Sequence, residues 1–178
     1  MRVAILTELF YPHIAGCERR YFEIGKRLVK RGHEVHIFTM RHEKKLPKDD
    51  MVKGILVHRY AHSKNYITLN HFRSMEGVLK YSFSTIFRLI SEKNFDIYYF
   101  NQWPIAHSIF AGPLLSPAIQ EWCEVWLNKI VTWERIVSKV ISYNVAVSDF
   151  TKRRLMSFLH VPPERIMIIP NGVDYSKF

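Results

Sequence analysis

Cysteine is scarce. There are two in 178 residues, Cys17 and Cys123, with no metal-ligand spacing around either. That excludes a disulfide-built miniprotein and a zinc framework, and it points to a reducing, intracellular setting. Glycine and proline are also sparse, at seven and eight residues, so collagen-like and low-complexity classes fall away. No run approaches the ~18–20 apolar residues of a membrane-spanning helix. The opening, MRVAILTELFYPH, carries one positive charge, and its apolar stretch is broken at Thr7 and Glu8. It reads as a buried strand rather than a signal peptide. Acidic residues are in short supply as well, 16 against 26 Lys and Arg.

What is present is apolar and aromatic surface, 48% and 14% of residues, enough for a globular core and too much for a disordered chain. The length suits one domain. The formal charge of +10 gathers at Arg19-Arg20, Lys26-Arg27, Lys30-Arg31, Arg41 to Lys48 and Lys152 to Arg154. A net positive field attracts nucleic acid, anionic lipid or phosphorylated small molecules. Each cluster taken singly also fits a solvated helix face.

Strand and helix patterns alternate. Residues 2–8 form a short aliphatic run, as in a strand buried on both faces. From about Cys17 to Arg31, Tyr21, Ile24, Gly25, Leu28 and Val29 share one helical face, and Gly32 sits where a left-handed residue ends a helix. Residues 34–39 are a second strand, completing a βαβ unit with a right-handed crossover. The charged stretch 41–50 reads as a surface loop, 52–60 as one strand with Gly54 its weak point, and 62–72 as irregular. Residues 74–93 predict a helix whose apolar face comprises Val78, Leu79, Phe83, Ile86, Phe87 and Ile90. Strands follow at 95–100, 118–122, 144–147 and 166–169, with Pro104 opening a helix, another helix over about 126–142, and a third capped by Ser148 and running to about His160. The fold class is α/β, a Rossmann-like, mostly parallel sheet with helices on both faces.

In such a sheet, ligands bind beyond the carboxyl ends of the strands. The loop Pro12 to Glu18 runs straight into a helix, so its small residues would let a phosphate reach backbone N–H groups at the positive end of the helix. It matches neither a dinucleotide fingerprint nor a P-loop, and a plain tight turn fits it equally. None of the nine histidines shows paired metal-ligand spacing; His13 is the one placed to line a cleft.

Three stretches carry a resemblance. Arg2 to Thr39 combines a strand, a Pro-x-x-small-Gly-x-Glu loop, a long helix and Arg31-Gly32-His33-Glu34-Val35. Val145 to Lys152 is a strand ending in Ser with Thr-Lys after it. Ile166 to Asp174, with Phe178, looks like an interdomain crossover. In order, they resemble the N-terminal half of a retaining glycosyltransferase of the two-domain GT-B type, family 4. The resemblance implies an acceptor-side domain over 1–170, with 171–178 (Asn171, Gly172, Asp174) opening the crossover to a donor domain absent from this chain. It also implies hexosyl transfer from a nucleotide-sugar donor, no tightly bound cofactor and no metal. The piece alone would be inactive.

Carried over residue by residue, Ala15 and Gly16 match the family's Gly-Gly and would donate backbone N–H groups to the donor diphosphate or an acceptor phosphate; the Cβ of Ala15 narrows that approach. Cys17 lies in the same loop. Glu18 matches the family's acid at the helix start, as a ligand contact or a partner of the helix dipole. Cys123 stands where the family has a His, and a thiol is a weak hydrogen-bonding group; Glu121 or Glu124 is then the candidate for a sugar hydroxyl. Asn101 and Gln102 would hold acceptor hydroxyls, with Trp103 a stacking wall. Ser148, Thr151 and Lys152 combine a cap with a phosphate contact. The partners implied are a nucleotide sugar and a glycan or lipid-linked acceptor, at the cytoplasm or the inner membrane face. The rivals are a stand-alone nucleotide- or nucleic-acid-binding α/β module, for which no RNA- or DNA-binding motif is visible, and a sugar-nucleotide epimerase of the same architecture.

Overall fold

A computed structural model of the chain describes residues 1–62, 74–92, 94–125 and 130–173. Its eight strands form one sheet in the order β3-β4-β2-β1-β5-β6-β7-β8. These are β1 (Arg2–Leu6), β2 (Glu34–Met40), β3 (Asp49–Val52), β4 (Ile55–Tyr60), β5 (Ile97–Phe100), β6 (Ala118–Trp122), β7 (Tyr143–Ala146) and β8 (Ile166–Ile168). Every pairing is parallel except β3 with β4. The helices are α1 (Gly16–Lys30), α2 (Met75–Glu92), α3 (Ile105–Ala111), α4 (Val131–Val140) and α5 (Asp149–Leu159).

β1 is central because it can be buried on both faces: Ala4, Ile5 and Leu6 are essentially without solvent contact. It pairs with β2 on one side and β5 on the other, so the strand order reverses at β1, and the loops after β1 and β5 open the crevice where ligands bind in such sheets. α1 ends as its sequence dictates. Gly32 adopts φ +81°, and the Gly32 and His33 N–H groups donate to the Val29 and Leu28 carbonyls, a Schellman closure that a Cβ would strain.

Two elements depart from expectation. Residues 49–60 are a hairpin, not a loop followed by one strand. Lys53 and Gly54 both take positive φ, +53° and +83°, the geometry of a tight turn matched to sheet twist. On α2, Ile86 is buried and Val78 and Ile90 pack on the core, but Leu79, Phe83 and Phe87 face solvent. Their place against the sheet is taken by Gly77, Tyr81, Ser82, Thr85 and Leu89. The Tyr81 hydroxyl bonds to the Thr7 and Phe38 carbonyls, so a polar-tipped ring is satisfied in the core. The helix expected over 126–142 spans Val131–Val140 among the described residues, and 63–73 lie outside them.

The layers are unequal. α2, α3, α4 and α5 build the larger core cluster on one side of the sheet, while on the other side α1 alone, among the described residues, packs on Val3, Ile5, Val35, Ile37, Ile55 and Val57. Gly25 lets α1 come close: a Cβ there would lie 2.8 Å from Ile55 Cδ1. Register places Ile119, Tyr143 and Met167 on the α1 face with Tyr99 and Glu121. Tyr143 and Met167 lie beyond the reach of α1, 59% and 63% exposed.

Candidate functional site

The N-terminal turn of α1 is held by its own acid. Glu18 accepts from the Ala15 N–H at 3.1 Å and faces His13 Nδ1 at 3.5 Å. Ala15 is the N-cap and has no side-chain acceptor to return the bond. The first-turn N–H groups of Gly16 and Cys17 therefore keep no side-chain cap, at the end of the helix where the dipole favours an anion. A Cβ built on Gly16 would meet no atom within 4 Å. The fold does not demand glycine there, and the space beside it is open.

That space is a cleft of about 860 Å³ between α1, the end of β6 and the segment after β8, lined by Gly16, Cys17, Arg20, Arg27, Cys123 and Asn171 among others. Arg20, only 12% exposed, pairs with Glu121, a fully buried carboxylate, and donates to Asn171 Oδ1 and the Ile169 carbonyl. The Tyr21 hydroxyl donates to Glu121 at 2.7 Å. Burial is the largest influence on Arg20 and works against its charge, but Glu121, Tyr99 and Tyr21 together outweigh it and raise the guanidinium pKa. Tyr21 and Tyr99 are raised, chiefly by burial and then by Glu121, so both stay protonated as donors. Arg19 also lines the cleft, and no carboxylate pairs with it among the described residues. Glu23 is taken up by Lys26 and Arg27.

Cys17 and Cys123 meet on the cleft wall as free thiols. Cys17 is lowered because the Cys123 thiol hydrogen-bonds to it, against the opposing effect of burial. Cys123 is raised by that same bond and by burial.

The structure thus brings Gly16, Cys17, Cys123, Asn171 and Gly172 into one cleft. His13 and Glu18 line a smaller hollow of about 210 Å³ nearby. Asn101 and Gln102 are 4% and 1% exposed and are engaged inside the protein. Asn101 donates to Thr7 Oγ1 at 3.4 Å and its carbonyl accepts from His107. Gln102 donates to the Glu124 carbonyl and Glu134, and accepts from the Cys123 and Glu124 N–H groups. Gln102 is therefore the brace that shapes the 123–124 loop. Ser148 caps α5 by accepting from Thr151 N–H at 3.1 Å, and the Thr151 hydroxyl donates to the Cys123 carbonyl, so α5 too is tied to this loop. Trp103 is partly exposed, Lys152 likewise, and Glu124 exposed. Asp174 falls outside the described residues. Among these no cluster of three metal-ligating side chains occurs, and no helix is long and apolar enough to cross a membrane.

Sequence reasoning passed over Arg20 and Arg27 as solvated charge. The available signal was spacing: residues 16, 20, 24 and 27 recur at helical intervals, so both arginines lie along the stripe that begins at Gly16.

This architecture, with its cleft at the reversal of strand order, is that of the N-terminal domain of a GT-B glycosyltransferase. The sequence model of Glycosyltransferase Family 4 matches residues 14–177, and the chain belongs to that family. Among solved structures it is similar to sucrose-phosphate synthase from Thermosynechococcus elongatus, with TM-score 0.71 and 12% identity, over 99% of this chain and 49% of that one. A glycosyltransferase from Rickettsia africae ESF-5 gives TM-score 0.65 and 20% identity, over 97% and 43%. WaaG, a glycosyltransferase involved in lipopolysaccharide biosynthesis, gives 0.63 and 15%, over 98% and 46%. The chain spans less than half the length of each of these three. No curated protein matches its sequence.

Proposed function

We propose that this chain is the acceptor-side half of a nucleotide-sugar-dependent hexosyltransferase that retains anomeric configuration. In this reading residues 1–170 form the domain, and 171–178 open the crossover to a donor-binding half. The observation that carries the reading is the cleft itself, which Gly16 and Cys17, without a side-chain cap on their N–H groups, line together with Arg19, Arg20 and residues 169–173. A diphosphate seated there would meet backbone donors and cations fixed in place before it arrives, which is how a protein stabilises charge that builds up on a leaving group. The leaving phosphate would then accept the acceptor proton as the new glycosidic bond forms. On this reading no metal ion is needed, and the remaining task is to hold acceptor and donor in line. Glu124 and Trp103, at the mouths of β6 and β5, are the side chains proposed to meet acceptor hydroxyls and a sugar face. The glycan or lipid-linked nature of the acceptor belongs to the same proposal.

Turnover of nucleotide sugars by the product of the complete reading frame, beside that of the 178-residue chain, tests this division of labour. The reading expects transfer with retention, insensitive to chelator, from the longer product only. Equal turnover by the short chain would refute it.

A further inference from the structure

The chain has two cysteines, far apart in sequence, and the fold brings both to one place. Cys17 lies in the first turn of α1 and Cys123 directly after β6. Both are free and half-buried, both line the cleft, and the Cys123 thiol hydrogen-bonds to Cys17. Each backbone is anchored on its own account. The Cys123 N–H donates to Gln102 Oε1 at 3.0 Å, and its carbonyl accepts from the Thr151 hydroxyl at 3.4 Å. The Cys17 side chain packs on the core cluster between α1 and the sheet, which α1 approaches closely at Gly25. The meeting of the two sulfurs is therefore imposed by the fold. A cysteine kept only as a small apolar filler needs neither a second thiol beside it nor a place on the wall of an open cleft.

We infer that Cys17 and Cys123 form a reversible oxidation site on the cleft wall, which a hydroperoxide converts into an intramolecular disulfide between α1 and the loop after β6. The chemistry closes in two steps. One thiol, as its thiolate, attacks a peroxide oxygen: an S–O bond forms, the O–O bond breaks, and the departing hydroxide takes up that thiol's proton as water. The second thiolate attacks the sulfenic sulfur: the S–S bond forms, the S–O bond breaks, and hydroxide leaves with the second thiol's proton as water. Two electrons pass from the sulfur pair to the peroxide, and a dithiol reductant restores both thiols by exchange. The neighbouring thiol captures the sulfenic acid before it can be oxidised further. The new bond joins two walls of the cleft next to Gly16, so these walls can no longer part. The inference goes beyond the transferase reading, and its test needs no turnover, so either can fail without the other.

The test is treatment of the 178-residue chain with hydrogen peroxide, followed by thiol titration, non-reducing peptide mapping and thermal denaturation. Both thiols should disappear together, and a cross-linked peptide pair containing Cys17 and Cys123 should appear in monomeric protein. Dithiothreitol should restore both thiols. The oxidised form should melt about 5 °C or more above the reduced one, because the bond closes a long loop of the unfolded chain. Cys17→Ser and Cys123→Ser should each stop at a sulfenic acid that dimedone traps. Should either variant unfold, the peptide map of the unaltered chain still decides. Sulfinic or sulfonic acid at both cysteines without a cross-link, or thiols that survive excess peroxide, would overturn the inference. So would a disulfide formed only between two copies of the chain, or a cross-linked monomer that melts below the reduced form.

Discussion

Gly16 separates what the fold needs from what a ligand needs. A Cβ at this position enters open space at the first residue of α1, where alanine is at home. Gly16→Ala is therefore expected to leave the melting temperature equal or higher, with a stability gain of about 0.4–1 kcal/mol. In the transferase reading it also places a methyl group where a diphosphate must approach, and pyrophosphate affinity by calorimetry should fall about tenfold or more, the cost of one charge-assisted hydrogen bond. Falling stability with unchanged affinity would show the glycine to be structural. His107 offers a different residue-scale outcome. It is wholly buried between Tyr81 and Phe100, its Nε2 donates to the Asn101 carbonyl, and burial pushes its pKa down to about 3. His36 is lowered too, by burial against the pull of Glu34. Below about pH 6.5 the unfolded chain binds protons that these folded imidazoles refuse, so stability is full above that pH and declines as pH falls toward 3. Each such group contributes a slope of about 1.4 kcal/mol per pH unit. Urea midpoints measured between pH 7 and pH 5 should show the decline, and His107→Gln, which keeps a donor for the Asn101 carbonyl, should flatten it.

At the scale of elements, α1 joins three parts of the molecule. Tyr21 and Arg20 reach β6 through Glu121, and Arg20 continues to Asn171 and Ile169. Glu121→Gln would leave a nearly buried guanidinium without its counter-charge. The expected cost is about 3 kcal/mol, at the lower end for a broken buried pair because the amide still accepts a hydrogen bond. Chemical denaturation reads that loss, and limited proteolysis near residues 169–173 should quicken as the segment loosens. Arg20→Met, which leaves the fully buried Glu121 carboxylate without its counter-charge, should cost at least as much. The identity and order of the elements were legible in the sequence, because β1, β2 and α1 follow periodicity and end on unambiguous signals such as Gly32. The hairpin at 49–60 was hidden because its turn is Lys53-Gly54, and lysine at positive φ announces nothing. The outward phenylalanines of α2 were hidden for a different reason. Periodicity shows that residues share a face, but not whether the sheet lies on that side, and here hydroxyl-bearing Tyr81, Ser82 and Thr85 took the inward place. The site was half legible. The Gly16 loop and Cys123 could be marked by motif, whereas Gln102 looks like a ligand contact until its four hydrogen bonds to the neighbouring loop and helix are seen.

The whole molecule is a sheet with unlike margins. At one end β3 doubles back antiparallel and presents Asp49 and Asp50, and Asp50 is held by Arg59 at 3.1 Å; carboxylates on an outer strand discourage any further strand from joining. At the other end β8 is three residues long and carries no charged side chain of its own, with Met167, Ile168 and the following Ile169 between 38% and 63% exposed. Among the described residues, β8 is thus the margin more open to a further strand, within reach of the Ile169 and Asn171 atoms that Arg20 holds. Strand addition at β8 is therefore expected to interfere with the cleft that Ile169 and Asn171 help to line, so that added pyrophosphate should slow aggregation followed by light scattering.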